Sequence, residues 1–463
     1  MTADARGPVL FVATLTAFVT PFMASSVNIA LPTIGREFQA DAVLLSWVAT
    51  GYILAAAVFL LPFGRLGDLY GRRRLFVRGI LSYTAASALC GLAPTAGWLI
   101  ALRALQGAGA AMIFGTGMAM LTSVFPPGER GKALGLNVAA TYIGLAVGPS
   151  LGGVLTHHFG WRSLFLVNIP LGLTITILLA RRIRGEWAEA RGERFDLLGT
   201  FLLSGSLCLL MVGFPQIGGS GGWLALLGTV GLGIFVAWEW RVAYPLLDVR
   251  LFAENPVFAF SNLAALINYS ATFAVTFLLS LYLQIPKALT PQGAGLILMV
   301  QPAMMALCSP FAGRLSDRVE PRTVASTGMA FTAAGLAILT SLTTETSLAF
   351  VVATLVILGV GFGLFSSPNT NAVMSSVDRR VYGVASATLG TMRLTGQMVS
   401  MGIASLIFAL VVGRVPLNMA EPAAFLKSLR IAFAVCTALC CAGIFASLAR
   451  GRLHSAKAEE RCG

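Results

Sequence analysis

Long uncharged apolar runs constrain the fold of this chain more than any other feature of its sequence. Most cover roughly 20 residues or more, the length that an α-helix needs to cross the hydrocarbon core of a bilayer. Charged residues make up only 11% of the 463 residues, against about 25% in an average soluble protein. Because so few charges cannot cover soluble domains, we predict an all-α polytopic membrane protein.

Fourteen apolar runs are distinguishable in the sequence. They lie at about residues 9–34, 45–64, 75–94, 98–124, 133–156, 164–181, 197–214, 222–240, 257–284, 292–312, 323–343, 348–368, 383–412 and 425–449. The first is too long for a signal-peptide core and lacks a small-residue cleavage site, so we expect it to be retained. With an even number of spans, most of the 32 Lys and Arg residues fall on one side, which predicts that both termini are cytoplasmic.

The remaining composition excludes several classes of protein. The net charge of +13 does not indicate a partner nucleic acid, because the basic residues sit in short loops between apolar runs. The 7 cysteines form no CxxC or Cys/His spacing, so we predict neither a metal site nor a disulfide framework. No cofactor is implied, and no HExxH, GxSxG or phosphate-binding glycine loop indicates a membrane enzyme.

The loop after the second apolar run contains a dense charge motif. Residues 64–74 read GRLGDLYGRRR, in which Asp68 and Arg72 can pair. A related stretch, residues 313–317 with Asp317 at its end, follows the tenth run. This repeat predicts two related halves, the usual plan of secondary transporters. Such a cluster can form and break between two domain arrangements, although a basic anchoring loop would look similar.

Two further patterns lie inside apolar runs. Arg103 and Gln106 lie in the fourth run, where a charge is costly and usually faces a cavity or a partner. The alternative is a structural arginine bonded to neighbouring carbonyl groups. In the fifth run, the glycine-rich stretch 144–153, with Gly148 and Pro149, predicts close helix packing and a bend.

These stretches together resemble motifs of the major facilitator superfamily. Residues 64–74 look like the family's loop motif after helix two, residues 102–109 like its fourth-helix arginine motif, and residues 144–153 like its fifth-helix antiporter motif. Residues 161–170 and 195–199 are similar to the fourteen-helix drug:proton antiporter branch. The resemblance implies a major facilitator fold, alternating access and, most often, export of drug-like compounds against protons.

The resemblance also implies an organisation and a set of partners. It implies a 6+2+6 arrangement, with an N-terminal six-helix bundle over residues 1–181, a cytoplasmic linker and two inserted helices over 182–255, and a C-terminal bundle and tail over 256–463. It ties Arg103 to proton coupling. The expected partners are a small-molecule substrate, protons and the lipid bilayer of a cell membrane, for which we expect the bacterial inner membrane. A monomer suffices, because both halves lie in one chain.

Polar side chains at membrane depth predict a substrate cavity. They are Asn28, Tyr52, Asn262, Asn268, Tyr269, Asn369, Arg393 and Gln397. Arg393 and Gln397 are four residues apart and therefore share one helix face. Hydrogen-bonding groups among apolar and aromatic walls suit the recognition of varied amphipathic molecules. The alternative for each residue is a hydrogen bond between helices with no role in binding.

One residue departs from the pattern of the branch. Helix one there commonly carries an acid five residues before its Asn-x-Ala-Leu-Pro stretch, whereas this chain has Met23 at that position. None of the 19 Asp and Glu residues falls near the middle of a predicted helix, and Asp196 and Glu239 sit at helix ends. Because export of cations in exchange for protons needs a buried carboxylate, we expect neutral or anionic substrates rather than dications.

The leading expectation is therefore a proton-driven exporter of hydrophobic or amphipathic compounds. The alternative is facilitated or proton-coupled transport of a neutral or anionic metabolite, or of a lipid-like product. A non-transporting membrane sensor with the same fold is a remote alternative. The fold cannot separate these, because function depends on particular sites.

Overall fold

The computed structural model describes residues 6–38, 42–183, 185–188, 190–213, 221–247, 249–284, 286–289, 291–411 and 422–451. Within these ranges the regular elements are helices, with no β-strand. They are α1 (Arg6–Phe38), α2 (Ala42–Tyr70), α3 (Arg72–Gly91), α4 (Ala96–Val124), α5 (Pro127–Phe159), α6 (Arg162–Leu166), α7 (Asn168–Arg182), α8 (Leu197–Gly213), α9 (Gly221–Glu239), α10 (Arg250–Glu254), α11 (Pro256–Gln284), α12 (Pro291–Leu298), α13 (Val300–Arg318), α14 (Pro321–Leu339), α15 (Leu348–Ser375), α16 (Tyr382–Val411) and α17 (Pro422–Ala449).

Most of these helices are suited to a bilayer. In the described part of the chain, 11 helical stretches are long and apolar enough to cross a membrane. Helices α3, α8 and α16 are not among these stretches. Four arginines occupy the first two turns of α3, and the apolar part of α8 is short, at Leu197–Leu210. The expectation of an all-helical, multi-span protein is confirmed, whereas the count of fourteen spans stays a prediction.

The chain divides into two compact units. The first comprises Met1–Ser204, Ala237–Asp248 and Val377–Thr391, and the second comprises Gly205–Val236, Val249–Ser376 and Met392–Gly463. The first turns of α16 therefore belong to the first unit, although the chain reaches them only after most of the second unit. The first turn of α16 lies beside the end of α2 and the start of α3.

Close packing of α5 against α1 depends on small residues in the predicted glycine stretch. A β-carbon on Gly148 would lie 2.7 Å from the β-carbon of Ser25 and 3.0 Å from the carbonyl oxygen of Phe22. The Ser26 hydroxyl donates to the Gly148 carbonyl at 2.9 Å. Pro149 follows inside the same helix, where it removes one backbone donor. Gly148 thus lies at a helix–helix contact.

This contact predicts the effect of enlarging Gly148. Gly148→Ala should destabilise the protein by about 1–3 kcal/mol, because the added methyl group overpacks the contact with α1. Gly205→Ala is the matched control, since a β-carbon there meets no atom within 4 Å and alanine favours a helix by up to about 1 kcal/mol. Thermal unfolding in detergent measures both, and equal melting temperatures for the two variants would contradict this packing.

Candidate functional site

The carboxylate of Asp68 caps the N-terminal end of a helix that lies far along the chain. Asp68 is on the last turn of α2 and is completely buried. Its Oδ1 accepts from the Gly383 N–H at 2.9 Å, and its Oδ2 accepts from the Val384 N–H at 3.0 Å. Both donors lie in the first turn of α16, where helical N–H groups have no partner within the helix and the dipole favours a negative charge.

The Arg72 guanidinium neutralises Asp68 in the same buried space. Its Nε donates to Asp68 Oδ1 at 2.8 Å, and its Nη1 donates to the Ser123 hydroxyl at 2.8 Å. Its Nη2 donates to the Arg379 carbonyl, and the guanidinium lies 5.4 Å from the centre of the Tyr382 ring. We call Asp68, Arg72 and these partners on α16 and the turn before it the Asp68 cluster.

Glycines allow the backbones to approach in the Asp68 cluster. Gly71 separates α2 from α3 with a φ of 115°, which L side chains rarely adopt. A β-carbon on Gly64 would lie 2.5 Å from the carbonyl oxygen of Gly383. The glycines of the sequence motif therefore serve both the sharp helix break and the contact between α2 and α16.

The segment after α7 forms backbone hydrogen bonds with Asp68 and Arg72 of the cluster. The Arg72 N–H donates to the Trp187 carbonyl at 2.9 Å, and the Ala190 N–H donates to the Asp68 carbonyl at 3.2 Å. The sequence motif predicted the pairing of Asp68 with Arg72, but it carried no signal for α16 or for this segment. Asp317, which corresponds to Asp68 in the repeat, lies half-buried on α13 in the second unit.

Arg103, Gln106 and Tyr52 come together inside the first unit. Arg103 is 1% exposed, and its Nε donates to the Val48 carbonyl at 3.1 Å. Its Nη1 donates to Gln106 Oε1 at 2.6 Å, and Gln106 Nε2 donates to the Ser87 hydroxyl at 2.6 Å. The guanidinium lies 4.4 Å from the centre of the Tyr52 ring. In the described ranges, no carboxylate forms an ion pair with Arg103.

Met23 occupies a buried apolar site where the resemblance implies an acid. It has no exposed surface and lies in a core cluster with Val48, Trp161 and Phe165. The Asn168 amide donates to the Met23 sulfur at 3.2 Å, and Asn168 Oδ1 has no hydrogen-bond partner among the described residues. This site therefore contains the Asn168 amide of the motif at residues 161–170, but the amide donates to a methionine sulfur and not to a carboxylate.

The same motif also ties α6 to the end of α1. Glu37 Oε2 accepts from the Trp161 indole at 2.7 Å and from Arg162 Nη1 at 2.9 Å. The hydrogen bond from Arg162, followed by that from Trp161, holds the pKa of the Glu37 carboxyl below its usual range. Because Glu37 is exposed, this pair is screened and contributes little to stability.

Arg393 and Tyr269 are half-buried and form a second cluster, within the second unit. Arg393 Nη2 donates to the Thr370 hydroxyl, and the guanidinium lies 5.7 Å from the centre of the Tyr269 ring. That ring packs edge-on against Phe362 at 5.1 Å. Arg393 Nε is buried without a partner among the described residues. Gln397 is half-buried one turn further along α16.

The predicted asparagines differ in how fully they are bonded. Asn268 is 0% exposed, and neither its Nδ2 nor its Oδ1 has a partner in the described ranges. Asn262 donates to the Phe258 carbonyl at 2.9 Å, but its Oδ1 is also unpartnered there. Asn369 Nδ2 donates to the Ser261 carbonyl at 3.1 Å. Asn28 lies on α1, and its side chain falls outside the described part.

Sequence reasoning missed Arg450, which follows α17 and is 1% exposed. Its Nη1 donates to Asn369 Oδ1 at 2.9 Å and to the Ser261 hydroxyl at 3.2 Å, and its Nε donates to the Ser447 carbonyl at 2.8 Å. The positive-inside pattern placed this arginine in the cytoplasmic tail after the last apolar run. Its position directly after an apolar run was the available signal that it could fold back onto the helix ends.

Comparison with known proteins identifies the family. A sequence model of the Major Facilitator Superfamily matches residues 13–238 and 261–461. The chain therefore belongs to this superfamily of transporters, and it is a multi-pass integral membrane protein. The resemblance to multidrug efflux transporters in its motifs is confirmed.

Relatives and a solved structure agree with this membership. The chain is 33% identical over 420 residues to the multidrug resistance protein Stp of Mycobacterium tuberculosis, covering 88% of this chain and 76% of that protein. It is 31% identical over 385 residues to the riboflavin transporter RibZ of Clostridioides difficile, covering 83% and 84% of the two chains. The crystal structure of the human organic anion transporter MFSD10 has the same fold, with a TM-score of 0.72, 12% identity and coverage of 96% and 100%.

The Asp68 cluster predicts a large loss of stability when its carboxylate is removed. Asp68→Ala should cost about 3–5 kcal/mol, because it leaves the buried Arg72 charge unpaired. Asp378→Ala is the matched control, since Asp378 is exposed and its side chain makes no cap hydrogen bond. Thermal unfolding in detergent compares them. Equal stability of the two variants would show that the cluster does not hold α16.

Proposed function

We propose that this protein is a secondary active transporter that works by alternating access and exports drug-like or amphipathic compounds in exchange for protons. The observation that carries the proposal is the Asp68 cluster, a buried set of hydrogen bonds between α2, α3 and the start of α16. The relative named a multidrug resistance protein supports the export of drug-like compounds. Family membership supports the transport of a small molecule across a membrane.

The physical properties of the Asp68 cluster suit a step that opens and closes. In the closed arrangement the carboxylate accepts hydrogen bonds from Arg72, Gly383 and Val384. Charges desolvated in this way are stable only while all partners are present. Because the bonds join helix ends and not helix interiors, α16 can leave α2 without either helix unfolding. Water then replaces the lost partners, so two arrangements are accessible.

The helix lengths support a proposed arrangement in the membrane. We propose that α3, α8 and α16 also cross the bilayer, which makes fourteen spans in a 6+2+6 order with both termini cytoplasmic. The 17 residues of α8 extend roughly 26 Å at 1.5 Å per residue, close to the thickness of the hydrocarbon core. The proposed boundaries are residues 1–181, 182–255 and 256–463. Since relatives are bacterial proteins, we place the protein in a bacterial inner membrane, as a monomer.

The proposed substrates are neutral or anionic amphiphiles. Arg393 Nε and both polar atoms of Asn268 are buried without partners in the described ranges, and each such group costs about 1–3 kcal/mol unless a ligand or water satisfies it. Tyr269 and Phe362 supply an aromatic wall beside Arg393. No acid faces Arg393 in an ion pair of the described residues, so its charge is available to an anion.

The remaining proposed cavity residues are those that sequence reasoning grouped with Arg393. They are Asn28, Tyr52, Asn262, Asn369 and Gln397. Asn369 and Tyr52 already contact Arg450 and Arg103, so their proposed role is to shape the cavity wall. Met23, in place of an acid, leaves its buried site on α1 without a carboxylate of its own to attract a dication.

A second candidate function is facilitated or proton-coupled transport of a neutral or anionic metabolite. The relative named a riboflavin transporter, at 31% identity over 385 residues, favours it. The two candidates differ in the range of compounds accepted and in the need for a pH gradient. A metabolite transporter would accept one compound class and would tolerate dissipation of the gradient if it is facilitative.

A transport assay in liposomes tests the proposed substrate class. Compounds of matched size that are anionic, neutral, cationic or dicationic are presented with and without an imposed pH gradient. We expect gradient-dependent transport of anionic and neutral compounds. Arg393→Gln should lower transport of the anions by about ten- to hundredfold, the cost of one charged hydrogen bond. Arg318→Gln, at an exposed arginine at the end of α13, is the matched control.

Three outcomes would contradict this proposal. Robust export of a dication would contradict the proposed substrate class. Equal anion transport by Arg393→Gln and Arg318→Gln would remove Arg393 from the binding site. Transport of one metabolite class without any effect of the pH gradient would favour the second candidate function.

A further inference from the structure

Two acidic side chains meet at the base of the helix pair α8 and α9. Asp196 immediately precedes α8, and Glu239 is the last residue of α9. Glu239 is 2% exposed. A β-carbon on Gly199 would collide with both Glu239 Oε1 and Asp196 Oδ2, so the two oxygens lie around one point. Both residues belong to the first unit.

Hydrogen bonds to three of the four carboxylate oxygens fix both groups in place. Asp196 Oδ1 accepts from the Gly199 N–H at 2.9 Å, which caps α8, and its Oδ2 accepts from the Trp238 indole at 2.9 Å. Glu239 Oε2 accepts from the Leu247 N–H at 3.0 Å. The pair therefore joins the start of α8, the end of α9 and the segment that follows α9.

One oxygen of the pair is left without a donor. Glu239 Oε1 is buried and has no hydrogen-bond partner among the described residues, yet the Glu239 side chain is within hydrogen-bonding reach of Asp196. Ionised carboxylates only accept hydrogen bonds, whereas a protonated carboxyl group can donate one. The contact between the two side chains is thus a hydrogen bond only when one proton lies between them.

The surroundings offer no substitute for that proton. In the described part of the chain, the charged group that acts on Glu239 is Asp196, and its other polar neighbours are the backbone N–H groups of Leu246 and Leu247. A like charge in contact disfavours ionisation of both members of such a pair. A basic side chain would have neutralised the pair, but the neighbour of Asp196 is the neutral Trp238 indole.

We propose that Asp196 and Glu239 form a proton-binding site in which one proton is shared between two carboxyl groups. We further propose that this site takes the coupling role of the acid that Met23 replaces on α1. This second step rests on the proposed proton-coupled function. Loss of the proton leaves two negative charges in contact and drives apart the ends of α8 and α9, together with the segment held by the Leu247 N–H.

Infrared difference spectroscopy of the full-length protein tests the proton site without any transport. The protein in liposomes is taken from mildly acidic to mildly alkaline pH, and the C=O band of a protonated carboxyl group is followed. Glu239→Gln retains the fold because its amide donates to Asp196, and its melting temperature verifies this. Glu254→Gln, at an exposed acid on α10, is the matched control.

We expect a pH-dependent band in the wild type and in Glu254→Gln, and its loss in Glu239→Gln and in Asp196→Asn. Retention of the band in both pair variants would overturn the proposal, as would its absence from the wild type. If the band is absent and added Na⁺ or K⁺ raises the wild-type melting temperature, the pair is a cation site and the proton assignment is wrong.

Substrate-driven proton flux tests the coupling role separately. Glu239→Gln should lower this flux by at least about tenfold, in the range expected for loss of a proton-transfer group, while Glu254→Gln retains it. Unchanged flux in Glu239→Gln overturns the coupling role. If the wild type shows no such flux but the band behaves as expected, the proton site is supported and the proposed proton-coupled function is what fails.

Discussion

The buried carboxylate of Asp68 is the interaction on which the first unit depends. It neutralises Arg72 and caps the first turn of α16, which the chain reaches 315 residues after Asp68. Removing either charge from water is costly, and the cost is recovered only when all their hydrogen bonds form together. The glycines at positions 64, 71 and 383 allow these hydrogen bonds to form together, since side chains there would collide or strain the turn.

Several features of the fold could be predicted from the sequence, because they are local. Apolar runs of membrane-spanning length and the near absence of charge within them indicated a bundle of helices. Asp68 and Arg72 are four residues apart near the end of one helix and the start of the next, so their pairing followed from spacing. Gly148 was assigned to close packing, and it lies at the contact with α1.

The partners that come from distant parts of the chain could not be predicted. The donors from Gly383 and Val384 are backbone N–H groups, which leave no mark in a sequence. Arg450 looked like one of several basic residues of the C-terminal tail, although it is bonded to Asn369. The site of Met23 was recognised as unusual, but its contact with the Asn168 amide depends on how α1 and α7 pack.

Asp196 and Glu239 show the same limit most clearly. Both were assigned to helix ends, which is correct, and a helix end in a membrane protein is an unremarkable place for an acid. Only the packing of α8 and α9 brings the two carboxyl groups into contact around Gly199. The pairing of the two acids was therefore missed from the sequence, because side-chain contacts between helices are properties of the folded chain.

The central claim is that the Asp68 cluster forms and breaks during transport. Spin labels at the exposed positions Tyr70 and Arg380, on either side of the cluster, report this directly through pulsed electron–electron distance measurements in liposomes. Two distance populations should be present, and their ratio should shift when substrate and a pH gradient are applied. A single distance that is the same under every condition would contradict the claim.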